Sequence, residues 1–249
     1  MTTSPALAPA REPPLSEAAR IVNTFVAPSQ TFADIRRNQS WWLPWLLMSL
    51  ISLAFVWTLS QKVGFEQVAR NEIAKSSRAA EQLEKMSPEQ RDGATQLQTR
   101  ITTYASYASP VVSLILFVII AGVLMGTMNF GAGAEITFKQ SMAVVVYGFL
   151  PSMVSALLGM VSLLVGVDPE GFDIRNPVAS NPAYFMDPTQ HKFVYGLLSG
   201  VDVFGLWIVV LLGIGYASIS KLKRSTTIGV VLGWFALIKL VGAGWAAMR

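Results

Sequence analysis

The chain has 249 residues, 52% of them apolar and only 14% charged, with no cysteine and a net charge of +4. That balance lies outside the range of an ordinary soluble domain. The missing thiol excludes disulfides, thiolate catalysis and cysteine-ligated zinc or iron–sulfur centres. The small positive excess, sited beside apolar runs or among acids, excludes a nucleic-acid-binding stripe.

Residues 1–14 are rich in Pro, Ala and Thr without an apolar period, which predicts a disordered tail. No basic segment followed by an apolar core opens the chain, so no cleaved signal peptide is expected and the first span must direct insertion. Residues 15–40 form an amphipathic segment. Leu15, Ala19, Val22 and Val26 recur at helical spacing with Ser16 as a cap, Pro28 interrupts, and Phe32 and Ile35 mark a second short helix. Two readings fit: a helix pair lying in the membrane interface, or a solvated lead-in to the first span.

Residues 41–60 are the first span, with Trp41, Trp42 and Trp45 where indoles favour the headgroup region and Pro44 in the first turn. Residues 61–100 are charged, with bases nearly balanced by acids. Glu66 with Arg70 and Glu81 with Lys85 have the i,i+4 order of a solvated helix. Ser87-Pro88-Glu89-Gln90 reads as a fresh helix start, and Ala94, Leu97, Ile101, Tyr104 and Ala108 carry an apolar stripe onward. The expectation is two helices outside the bilayer packed as a hairpin, either a solvated surface or a partner-binding arm.

Residues 109–128 are the second span, containing Gly122-x-x-x-Gly126, a spacing that lets helix backbones approach closely in lipid. A short loop with Gly131-Ala132-Gly133 leads to the third span, 141–165, which Pro151 should kink and where Gly148 leaves room for a neighbour. The loop 166–192 is polar and proline-rich. Its Asp168, Glu170 and Asp173 are close in sequence but lack the spacing and terminal bidentate Glu of a calcium loop, so no metal or other cofactor is expected. The final apolar runs, 199–219 and 226–247, are each about 20 residues, enough to cross roughly 30 Å of hydrocarbon. A very short turn with Lys221, Lys223 and Arg224 joins them as an antiparallel hairpin, and Gly229-x-x-x-Gly233 repeats the close-packing motif.

The fold class that follows is all-α: a polytopic membrane protein with five transmembrane helices and an extramembrane helical hairpin after the first. The juxtamembrane clusters Arg36-Arg37 and Lys221/Lys223/Arg224 fall on one side and act as basic anchors, which puts the N-terminus in the cytoplasm and Arg249 across the membrane. Two ionisable residues fall within the expected spans, Asp202 about 5 Å into the fourth and Lys239 roughly 12 Å from the end of the fifth. Charge in hydrocarbon is costly, so such groups pair, face the bundle interior or snorkel. One reading is a buried Asp202–Lys239 pair lining a pathway or substrate pocket. The other is a structural pair, or a snorkelling lysine and an interfacial aspartate. The chain has no His-Glu-x-x-His helix, no Gly-x-Ser-x-Gly elbow and no phosphate-binding loop, and therefore reads as a non-enzyme.

Three stretches carry a family resemblance: "FVAPSQTFADIRRNQSWWLPWLL" (25–47), "GAGAEITFKQSMAVVVYGFLPSMV" (131–154) and "FGLWIVVLLGIGYASISKLKRSTTIGVVLGWFALI" (204–238). In their order and five-span layout they resemble the Ypt/Rab-interacting-protein (Yip) domain family, and more its bacterial branch, over roughly 20–247. The charged loop looks like an enlargement. The resemblance implies a cytosolic N-terminus and, in eukaryotic members, vesicle trafficking through Rab GTPases and partner membrane proteins. No Rab-contact residue matches here, and a bacterial-type member would have no Rab to bind. The function expected is a membrane scaffold or partner-binding protein of the bacterial inner membrane, contacting the lipid bilayer and membrane-protein partners or copies of itself, and no nucleic acid. The alternative is a small transporter or channel subunit using Asp202 and Lys239.

Overall fold

The computed structural model describes residues 13–166, 168–187 and 191–247, so Arg11, most of the expected tail 1–14 and Arg249 lie outside the described residues. Among the described residues the regular structure is helical throughout. Four helical runs are long and apolar enough to cross a membrane, and a bent pair of helices supplies a fifth crossing if counted as one span. The chain is an all-helical, multi-pass integral membrane protein.

Helices α1 (Glu17–Val26) and α2 (Pro28–Ile35) form a tight pair broken at Ala27, where Pro28 takes the first helical position. Ser16 caps α1 by accepting from the Ala19 N–H. Phe32 and Ile35 of α2 are fully enclosed in the main core. Helix α1 is inverted relative to a soluble amphipathic helix. Its polar Arg20 and Thr24 turn inward, while Val22 and Val26 are 59% and 73% exposed.

Helix α3 (Trp42–Lys62) is the first span, with Trp41, Trp42 and Trp45 clustered at its start. The charged segment then forms three helices rather than a simple hairpin: α4 (Phe65–Ala74), α5 (Ser77–Glu84) and α6 (Pro88–Tyr107). The extra break comes from Ser76, whose hydroxyl caps α5 by accepting from the Ala79 N–H at 3.3 Å. At α6 the capping box closes both ways, Gln90 N–H to the Ser87 hydroxyl and Ser87 N–H to the Gln90 side chain. Helix α4 packs on α6, yet the stripe of Leu97, Ile101 and Tyr104 stays exposed.

The second span, α7 (Ser109–Gly126), ends in a π-helical turn, Thr127–Gly131. Asn129 closes the return that follows, its side chain bonding both the N–H and the C=O of Ile136. Gly133 takes the left-handed conformation there (φ 69°). The third span is interrupted, as Pro151 requires, into α8 (Phe138–Gly148) and α9 (Pro151–Val165). It begins earlier than residue 141 because Thr137 and Gln140 form a second capping box.

The fourth span also differs. Its helix, α11, begins at Val203 and ends at Ile219, and a separate helix α10 (Lys192–Leu198) precedes it at 50°. The physical reason is Asp202, whose carboxylate accepts from the Gly205 N–H at 2.8 Å and starts the helix as its cap. The last span, α12 (Arg224–Ala247), returns alongside α11 and α10. A main core centred on α8 and α11 is joined by a smaller cluster, Leu59, Val68, Leu163 and Phe172, beneath the charged arm.

Candidate functional site

Backbone approach organises the interior at glycines other than those of the paired motifs. A Cβ at Gly213 would stand 2.9 Å from the Ile228 Cα, and one at Gly215 would stand 2.5 Å from Val144 Cγ1 and 3.0 Å from the Phe32 ring. Gly148 meets Leu212, as the room it leaves for a neighbour implied, and Gly196 meets the Ala243 backbone at 2.9 Å. By contrast, a Cβ at Gly122, Gly126, Gly229 or Gly233 would find nothing within 4 Å. The two Gly-x-x-x-Gly faces on α7 and α12 are therefore open among the described residues.

The ionisable residues of the spans do not come together as an ion pair among the described residues. Asp202 lies at the start of α11 rather than within it, bonded to the Gly205 N–H and to the Ser180 hydroxyl, while the Val203 N–H donates to the Ser180 carbonyl. Lys239 runs its stem along Gly200 and sets its ammonium 5.5 Å from the Phe235 ring centroid. Of the basic anchors, Arg224 bonds the Ser29 hydroxyl at 3.1 Å, tying the α11–α12 turn to the N-terminal helix pair. Arg36, Arg37, Lys221 and Lys223 are exposed.

A polar centre that sequence reading missed holds that pair in place. Arg20, with no exposed surface, lies 2.9 Å from Asp34 Oδ2 through its Nε, at an angle too bent for a hydrogen bond. Its Nη1 donates to the Asn38 carbonyl at 3.0 Å. The Arg20 carbonyl accepts from both Thr24 and Thr31, so one residue links α1, α2 and the turn beyond. The Tyr147 hydroxyl lies beside the same guanidinium. Nearby, the Ser141 hydroxyl joins the Tyr216 hydroxyl and donates to the Ala121 carbonyl, linking three spans. A lone arginine between apolar positions reads as solvated; the only signal was Thr24, Thr31 and Asp34 on the same short segment.

At another place in the molecule the charged arm, the 168–176 loop, α10 and the last turns of α12 enclose a groove of about 630 Å³. Asp173 accepts from Lys75 at 2.9 Å and from the Tyr195 hydroxyl at 3.2 Å, and Glu72 pairs with Lys75 and Arg175 at 3.3 and 2.6 Å. Asn71 fastens the arm to the loop by donating to the Pro169 and Phe172 carbonyls. The loop acids therefore point apart: Asp173 to Lys75, and Asp168 back to the Glu170 N–H.

The architecture is thus an N-terminal helix pair docked on a broken third span, with a closing hairpin joined by a basic turn. No curated protein and no solved structure matches the chain. The model of the Yip1 domain matches residues 22–246, from inside α1 to the last turn of α12, and the chain therefore belongs to the Yip1 domain family.

Proposed function

We propose that this chain is a non-enzymatic membrane scaffold that binds other membrane proteins, or a second copy of itself, through the open glycine faces of α7 and α12. One observation carries the reading: Gly122, Gly126, Gly229 and Gly233 have nothing against them, while Gly148, Gly196, Gly213 and Gly215 are filled by neighbours. Between helices in lipid, association depends on close backbone contact and not on the hydrophobic effect, so an unfilled Gly-x-x-x-Gly face suits a second helix. The family is not known as one of enzymes, which agrees with a binding role. The proposed setting is a bacterial inner membrane with the N-terminal pair and the 221–224 turn on the cytoplasmic side; the Arg224–Ser29 bond supports their sharing one end.

The transport alternative draws less support. It needs a charge available to a moving substrate, and Asp202 is engaged as a helix cap with Ser180 as second partner.

The natural absence of cysteine makes the test clean. Single Gly126→Cys and Gly233→Cys variants, oxidised in native membranes, are expected to form disulfide adducts with a partner or a second copy, whereas cysteine at the lipid-facing Leu164 is not. Gly233→Ile should abolish the adducts of a distant reporter cysteine without disturbing the monomer, because a Cβ at this position meets nothing within 4 Å. No adduct at either glycine face, or reconstituted ion or solute flux that is lost in Asp202→Asn, would overturn the scaffold reading.

A further inference from the structure

The groove between the charged arm and α12 joins an ionic wall to an apolar one. Its upper wall is ionic, from Glu72, Lys75, Asp173 and Arg175. Its lower wall is the lipid-facing end of α12, with Ile238, Gly242, Ala243 and Trp245. Ile238 and Trp245 are 61% and 57% exposed, so this wall opens toward hydrocarbon. A ligand wholly soluble in water gains nothing from the second wall, and a wholly apolar one cannot satisfy the first.

The charges choose between the remaining amphiphiles. Four cations line the groove, Lys75, Arg175, Lys192 and Lys239, against two acids. Both acids are already paired, with Lys75 and Arg175. Lys192 and Lys239 make no ion pair among the described residues. An ammonium within a span lacks water to screen it, and among the described residues that of Lys239 faces the Phe235 ring. Among the described residues neither ammonium has an ion-pair partner, and the groove's excess of cations over acids suits an anionic headgroup.

We propose that this groove is a binding site for an anionic phospholipid, with the headgroup phosphate between Lys192 and Lys239 and one acyl chain along α12. Basic pockets between membrane helices select anionic headgroups in this way. The volume suits a headgroup and the first carbons of its chains. Gly242 keeps the floor flat, since a Cβ there would meet nothing within 4 Å. The close Gly196–Ala243 contact fixes α10 against α12 and so sets the spacing of Lys192 and Lys239. The site is separate from the glycine faces of α7 and α12, and the two proposals stand or fall independently.

The test uses full-length protein, delipidated and then returned to nanodiscs or mixed micelles holding phosphatidylglycerol and phosphatidylcholine, with retained lipid counted by native mass spectrometry. The wild type should retain phosphatidylglycerol at least tenfold over phosphatidylcholine. Lys192→Gln/Lys239→Gln should remove that preference, and Gly242→Trp, whose Cβ meets nothing within 4 Å, should fill the floor and lower retention of both lipids. An Arg36→Gln/Arg37→Gln variant should keep the wild-type preference. Equal retention of the two lipids by the wild type, an unchanged preference in the double lysine variant, or an equal loss in the Arg36/Arg37 variant would each overturn the proposal. Competition by soluble glycerol phosphate as effective as that by the lipid would also overturn it, in favour of a free phosphate ligand.

Discussion

Replacing Asp34 with leucine removes the counter-charge from a guanidinium that has no exposed surface. The neutral groups that remain beside it, the Asn38 carbonyl at 3.0 Å and the Tyr147 hydroxyl, cannot neutralise it. Breaking a buried pair by removing one partner costs about 3–5 kcal/mol, whereas replacing both partners by apolar groups of similar volume is often close to neutral. The pair bridges α1 and α2, so the loss should fall on the docking of these two helices and not on the spans beneath. At a factor of ten for each ~1.4 kcal/mol, the undocked population should rise roughly a hundred- to four-thousand-fold. Hydrogen exchange of the amides in α1 and α2, measured on the full chain in nanodiscs, reads that population directly. Asp34→Leu and Arg20→Met should each accelerate exchange in both helices, with α9 and α12 unaffected. The double variant should return most of the protection. Unchanged exchange in both single variants, or a double variant showing the sum of the two losses, would refute the account of Arg20 and Asp34 as one coupled unit.

Other substitutions test the remaining architecture. Gly215→Leu forces a side chain into Val144 and Phe32 and should destabilise the docking of α2 on α8 and α11 by about 1–3 kcal/mol; Gly229→Leu, into open space, should leave the melting temperature of the monomer unchanged. Asp202→Ala should cost about 1 kcal/mol by uncapping α11, seen as faster exchange at Val203 to Leu206, while Asp202→Asn, itself a good cap, should restore most of it. Asn71→Ala strands the Pro169 and Phe172 carbonyls, and its cost of about 1–3 kcal/mol should appear as faster proteolysis within 168–187 with intact spans.

The helical, multi-pass class was legible because spans are defined by length and hydropathy, which composition alone carries. Capping chemistry was legible at Ser87, where a complete Ser-Pro-Glu-Gln pattern stands in sequence order. It was read differently at Asp202. There an acid in an apolar run suggests a buried charge, and only its distance to the Gly205 N–H identifies a cap. The glycines show a second kind of limit. Spacing marks where a helix backbone can be approached, but which face is approached depends on neighbours far along the chain, such as Phe32 against Gly215. The partnership of Arg20 with Asp34 was invisible for the same reason, since it requires the fold of two short helices about Pro28. The groove likewise joins residues from the arm, the proline-rich loop and α12, which no local pattern connects.

The position of α1 and α2 at the start of the chain has a consequence for the order of assembly. Their docking surface includes Val144 and Gly215, and the latter leaves the ribosome well over a hundred residues after Asp34. At ordinary synthesis rates that gap lasts roughly ten to forty seconds. Throughout it, Phe32 and Ile35 have no seat. Biogenesis of this protein therefore includes an interval in which its first helices are an unfinished latch, closing once the last hairpin has been made.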